Sequence, residues 1–330
     1  MVLLGHFGPR AFGNFGPFGV EMFFVLSGRL MAEILIVRGQ ALPSFALRRM
    51  SRVLPLLIFY VVVMGIALGL AQLVGGAKVN WLSVAGALLF FNSYVPYPAP
   101  LLEHTWSLAV EEHSYLLLML ITALSARKAG VAGILALVVA GCMVLNGVLI
   151  FSHFAPPAPH VFMRSDVRGA SVLLSLSMFL MLRHWQPVVF RPVLAWLSPA
   201  CLIGAGAMLG AADMVTPFYI TACTILIAIA VNTIEFAAPV YRRLLSARAL
   251  TWLGMLSFSI YIWQQPFFIA AKGGVPSIVA LPFIFACAIW SYVRIEAPAR
   301  RYLNQRWDDA RAEGRQGWRL VAAPMGRAVG

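Results

Sequence analysis

Apolar runs about 20 residues long, the length a helix needs to cross a bilayer, recur along this chain with short polar gaps between them. Nine are full length: 18–37, 53–74, 106–125, 131–151, 168–184, 193–211, 215–235, 250–270 and 276–295. A tenth stretch, 81–95, is shorter and lies between Asn80 and the turn Pro96-Tyr97-Pro98-Ala99-Pro100, so it reads as re-entrant or interfacial. The opening Met1–His6 reads as the tail of a further span cut short. The pattern predicts an all-α polytopic transmembrane bundle of about ten spans, the first of them truncated, because a helix satisfies its own backbone in lipid.

Arginines fall in alternate gaps. One set of gaps, with the tail, holds Arg38, Arg48, Arg49, Arg52, Arg127, Lys128, Arg183, Arg191, Arg242, Arg243, Arg248 and seven arginines from Arg300 to Arg327. The opposite gaps hold only Arg10, Lys78, Arg164 and Lys272. That eighteen-to-four bias predicts a multi-pass protein of the bacterial inner membrane with a cytoplasmic C-terminus. Residues 1–303 then form the membrane domain, and 304–330, polar and basic, a loose cytoplasmic tail.

Composition agrees. The chain is 61% hydrophobic and only 11% charged, against about 25% charged in soluble domains. The net charge of +13 sits at span ends rather than along one face, which argues against a nucleic-acid partner. Cys142, Cys201, Cys223 and Cys287 lie in apolar runs without metal or disulfide spacing, and no metal site is expected. No cleavable signal peptide is evident, and no internal repeat of the kind many transporters carry.

Charged groups inside spans are costly and mark function by default, although each can also serve as a polar staple between helices. His6 stands beside a Gly/Pro-rich turn, and an imidazole near neutral pH suits a general base; a structural interfacial histidine is the alternative. Ser107, Glu111 and Tyr115 recur at i, i+4 and i+8 and share a helical face, with Trp106 at the outer interface and Glu112 and His113 on other faces. Arg49 and Arg52 share a face in the loop before Pro55, flanked by Arg48. Guanidinium forks match phosphates, but arginines there also serve topology and lipid headgroups. Arg29 lies mid-span one turn from Glu33. The two are expected to pair within the helix, with lining of a substrate path or contact with another helix as alternatives.

Together these stretches resemble the acyltransferase-3 family of bacterial membrane acyltransferases. The resemblance covers nearly the whole chain. It rests on Gly19-Val-Glu21-Met-Phe23-Phe24-Val-Leu-Ser27-Gly28, Arg48-Arg49-Met-Ser-Arg52-Val-Leu-Pro55 and Trp106-Ser107-Leu108 with Glu111-Glu112 and Tyr115. Arg164-Ser-Asp166, Leu253–Tyr261 and Ile295-Glu296-Ala-Pro298-Ala-Arg300-Arg301 continue it in order. Four departures stand out: no arginine about ten residues before His6, Arg29 after Gly28, Gln264 where a histidine is common, and Ser114 before Tyr115.

The resemblance implies a membrane O-acyltransferase that moves an acyl group, usually acetyl, from acyl-CoA as co-substrate to a sugar hydroxyl of a glycan, exopolysaccharide, lipopolysaccharide or glycoside. His6 falls on the family's essential histidine, as the base that activates the hydroxyl, with Glu111 or Glu21 assisting. Arg48, Arg49 and Arg52 fall on its coenzyme-binding segment. Ser27, Arg29, Glu33, Trp106, Ser107, Tyr115, Arg164, Asp166, Tyr261 and Glu296 complete the expected polar core. The partners are the bilayer, the glycan acceptor and acyl-CoA. The competing readings are a glycolipid transporter or flippase, and an inactive remnant without its first half-span.

Overall fold

The computed structural model describes residues 1–9, 15–76, 78–153, 163–184, 191–210 and 216–321, with no account of the side chains of 191–192 and 314–321. Arg10 and most of the turn after His6 lie outside the described residues. The described chain is helical and contains no strand. Its helices are α1 (Val2–Phe7), α2 (Phe15–Ala32), α3 (Leu42–Leu73), α4 (Trp81–Leu88), α5 (Trp106–Leu124), α6 (Ala129–His153), α7 (Ser165–Leu182), α8 (Arg191–Gly210), α9 (Pro217–Asn232), α10 (Pro239–Leu245), α11 (Arg248–Lys272), α12 (Ser277–Ser291) and α13 (Ala297–Val321).

Each of the nine full-length apolar runs has its helix. Among the described residues, six helices are long and apolar enough to cross a membrane, or seven if α10 and α11, bent by 48° at their junction, count as one span. The helix α2, which carries Glu21 and Arg29, is outside that set, and α9 is only 16 residues long. This is a multi-pass bundle, with fewer clear spans than the expected ten. The segment after Asn80 is short, as expected. Asn80 caps α4 by accepting from the Leu82 amide, and the helix ends at Leu88.

Two helices differ from expectation in ways that matter. The arginine segment is no loop, because α3 begins at Leu42 and takes Arg48, Arg49 and Arg52 into its first turns. The part of the tail up to residue 321 is not loose either. The helix α13 runs unbroken through residue 304, and Trp307 and Arg311 both donate to Ser44 of α3 while Arg48 pairs with Asp308.

The centre of the bundle is α7, packed by α2, α5, α6 and α9. Close approach is made possible by glycine. A Cβ on Gly28 of α2 would lie 2.1 Å from the carbonyl oxygen of Val172 on α7, and one on Gly5 of α1 would lie 2.3 Å from the backbone nitrogen of Gly16 on α2. These contacts draw α1 against α2, and the far side of α1 meets α11. His6, in the last turn of α1, is therefore held between two helices. Two π-helical turns, Glu33–Val37 after α2 and Tyr292–Glu296 before α13, bracket the arginine segment. Such turns often sit at functional sites.

Candidate active site

His6 opens onto a cavity of about 430 Å³ whose wall includes Gly16, Glu21, Glu103, His104, Trp106, Arg168, Tyr261, Gln264, Phe268 and Lys272. Its ring stacks on Phe268, with centroids 3.9 Å apart and planes 14° from parallel. A Cβ on Gly16 would stand 3.6 Å from His6 Nε2, so the glycine leaves that edge of the imidazole clear. Tyr261 donates to the His104 carbonyl at 2.8 Å and shares a 2.6 Å hydrogen bond with Ser107. Lys272 rests its ammonium over the Phe268 ring.

The wall is unusual in what it leaves unpaired. Nine buried side-chain polar atoms lack a hydrogen-bond partner among the described residues. Six of them belong to this cavity: His6 Nδ1, both ring nitrogens of His104, Arg168 Nε and both amide atoms of Gln264. Buried polar atoms are normally satisfied, so their concentration here marks a place built to receive a polar guest. Glu21 in the wall is not one of them. Glu21 accepts from Arg168 at 2.5 Å and from the Thr224 hydroxyl, and both members of the ion pair are buried. The Arg168 guanidinium also lies over the faces of Phe24 and Trp106.

A second polar centre gathers on α2, α3 and α5. Glu111 accepts from Ser27 at 2.6 Å, from Arg49 at 2.6 Å and from the Tyr115 hydroxyl. Arg49 also donates to Glu112 at 3.2 Å, and its guanidinium lies 4.4 Å above the Tyr115 ring. Ser259 donates to Glu296 at 2.8 Å, and Arg52 is close enough to feel both Glu296 and Glu111. Arg48 stays at the surface.

The expected site residues thus divide. His6, Glu21, Trp106 and Tyr261 line the cavity, with Ser107 just behind Tyr261; Ser27, Glu111, Tyr115 and Arg49 form the second centre. Glu111 is not beside His6. Arg164 and Asp166 form a half-exposed pair with each other, where Asn146 also donates to Asp166. Arg29 does not pair with Glu33: it donates to the Val231 carbonyl and to Glu235, while Glu33 pairs with Arg38. The residues that spacing did not reveal are Arg168, His104, Phe268 and Lys272.

The chain matches the acyltransferase domain family over residues 1–294. It belongs to that family. Among curated relatives, the O-acetyltransferase OatA of Staphylococcus aureus is 26% identical over 87% of this chain and 53% of its own length. The peptidoglycan O-acetyltransferase OatA of Listeria monocytogenes is 27% identical over 76% of this chain and 44% of its own. A putative peptidoglycan O-acetyltransferase of Bacillus subtilis, YrhL, is 28% identical over 87% and 51%. The chain thus spans about half the length of these relatives. No solved structure matches it.

For an acyltransferase domain the two centres offer different chemistry. The cavity holds an imidazole with an open edge among unpaired donors and acceptors, which suits proton transfer to and from a hydroxyl. The second centre is a closed network in which Arg49 is already neutralised by two carboxylates. That leaves Arg48 and Arg52 as the arginines of this segment without a hydrogen-bonded carboxylate inside the bundle.

Proposed function

We propose that this domain transfers an acyl group from acyl-CoA to a hydroxyl of a cell-envelope glycan, with His6 as general base. His6 Nε2 takes the proton of the acceptor hydroxyl, the oxygen attacks the thioester carbonyl, and the carbon–sulfur bond breaks. The departing thiolate takes up the proton that His6 accepted, so no net charge is left behind. The names of the relatives support acetyl as the group and peptidoglycan as the class of acceptor. The observation that carries the reading is the cluster of unpaired buried polar atoms around His6.

The donor enters, on this reading, from the cytoplasmic side, where Arg48 and Arg52 meet its phosphates. Arg49 keeps the segment in place through Glu111 and Glu112. The charge bias along the chain supports an inner-membrane protein with its C-terminus in the cytoplasm.

The test is acyl transfer by the purified chain in lipid vesicles, with radiolabelled acetyl-CoA and glycan fragments. His6→Ala is expected to lower transfer about 10²–10⁴-fold, the usual contribution of a general base, without loss of the folded protein. Full transfer by that variant removes His6 from the chemistry. Movement of glycolipid across the vesicle with no consumption of acetyl-CoA makes the protein a transporter instead.

A further inference from the structure

One stripe of α11 faces the base. Tyr261, Gln264, Phe268 and Lys272, at i, i+3, i+7 and i+11, all line the cavity that His6 opens onto. Phe268 fixes the plane of the imidazole by stacking on it. Stacking alone leaves open which ring nitrogen carries the proton, and a base needs that choice made by a partner on its other nitrogen. His6 Nδ1 is buried and without a partner, and so are both amide atoms of Gln264, which is 1% exposed. Gln264 lines the same cavity as the imidazole, and its carboxamide acts on the ring. Two unsatisfied groups that can satisfy each other therefore face one cavity.

The other groups facing His6 are less suited. Lys272, also on α11, is a donor only and rests on Phe268. Glu21 of α2 is closed by Arg168 and Thr224. Glu103 and His104, from the turn before α5, line the same cavity but make no bond to the imidazole. Meanwhile Gly16 keeps the Nε2 edge clear.

We propose that Gln264 is the positioning residue of the base. Its carboxamide oxygen accepts a hydrogen bond from His6 Nδ1–H and so holds the tautomer whose Nε2 lone pair meets the acceptor hydroxyl. This rests on His6 being the base. It adds that the partner which orients the imidazole is a neutral amide rather than a carboxylate, as in the cysteine–histidine–asparagine arrangement of some proteases. The proton from the hydroxyl arrives at Nε2 and leaves from Nε2, while the Nδ1 proton stays in the hydrogen bond to Gln264 throughout.

The experiment compares wild type, His6→Ala, Gln264→Leu and Gln264→Glu in the vesicle assay, with kcat and KM measured separately across pH. Gln264→Leu is expected to lower kcat roughly 10–100-fold, less than loss of the base itself, with KM little changed. Gln264→Glu restores an acceptor and adds negative charge beside the ring, which favours the protonated imidazole. Its acid limb is expected to move to higher pH, while the Leu variant shows no such move. A role in packing alone predicts the opposite, since Leu suits an apolar wall. Wild-type kcat in folded Gln264→Leu overturns the proposal, and so does an unshifted acid limb in folded Gln264→Glu. If the buried Glu prevents folding, the kcat and KM of the Leu variant decide alone. An active His6→Ala overturns the general-base reading and this proposal with it. An inactive His6→Ala beside a fully active Gln264→Leu overturns only the role of Gln264.

Discussion

Glu21 and Arg168 form the most deeply buried ion pair among the described residues, with side chains 2% and 5% exposed and 2.5 Å between nitrogen and oxygen. Loss of Arg168, as in Arg168→Met, leaves Glu21 with only the Thr224 hydroxyl in a wall that cannot solvate it. Loss of Glu21, as in Glu21→Leu, leaves a guanidinium facing Phe24 and Trp106 without a counter-ion. Breaking a buried pair on one side costs about 3–5 kcal/mol, whereas replacing both partners with apolar residues of similar volume is often neutral. Each single variant is therefore expected to lose about 3–5 kcal/mol, and the double variant far less than their sum.

Unfolding of all four proteins in one detergent or lipid, followed by circular dichroism, measures the coupling directly. The cycle is preferable to any single variant, because the unfolded chain in a bilayer must also shelter its charges and that cost cancels. Single variants as stable as wild type, or a double variant whose loss equals the sum of the two, refute the reasoning. Activity supplies an independent check. The double variant is expected to fold yet transfer poorly, because Arg168 lines the same cavity as His6.

Gly28→Ala is expected to abolish accumulation of folded protein, since its Cβ has no room beside the Val172 carbonyl, while Gly141→Ala, with nothing within 4 Å, leaves expression unchanged; blotting of membrane fractions checks both. Gly16→Ala places a methyl 3.6 Å from His6 Nε2, an ordinary contact that permits folding. Its thermal unfolding should match or exceed wild type by up to about 1 kcal/mol, with transfer reduced because the acceptor shares that edge. Arg48→Gln combined with Arg52→Gln is expected to raise the KM for acyl-CoA and leave that for the acceptor unchanged, as steady-state kinetics will show.

Period and charge made part of the site legible and hid the rest. The shared face of Glu111 and Tyr115 follows from four-residue spacing, and their hydrogen bond is present. The partners that complete the cluster, Ser27 and Arg49, are 84 and 62 residues away, and no periodicity reports them. The same spacing rule failed for Arg29 and Glu33 because the helix changes pitch there. A π-helical turn begins at Glu33 and turns its carboxylate toward Arg38. Arg29 instead finds the C-terminal end of α9, where a carbonyl such as that of Val231 attracts a cation. Arg168 went unnoticed because it begins an apolar run and reads as its boundary. The available signal was charge matching: Glu21 inside another apolar run requires a buried cation, and Arg168 is one of four arginines within the expected spans. His104 precedes the helix that carries Trp106, so its burial depends on how α3 and α11 meet the turn before α5, where its ring packs on Tyr60 and Tyr261.

On the proposed reading, the two polar centres together explain why the base is an imidazole rather than a carboxylate. Glu21 and Glu111, both buried, each form an ion pair, with Arg168 and Arg49 respectively. Those pairs link α2 to α7 and α3 to α5, so they brace the bundle rather than stand free as acids or bases. On α2 the two levels are marked by Glu21 and Ser27, six residues and therefore about 9 Å apart along the helix. What remains unpaired on the cavity wall is His6, His104, Gln264 and one nitrogen of Arg168. Of these only the histidines carry an imidazole, which can both accept and donate a proton, and only His6 has an edge kept clear by a glycine.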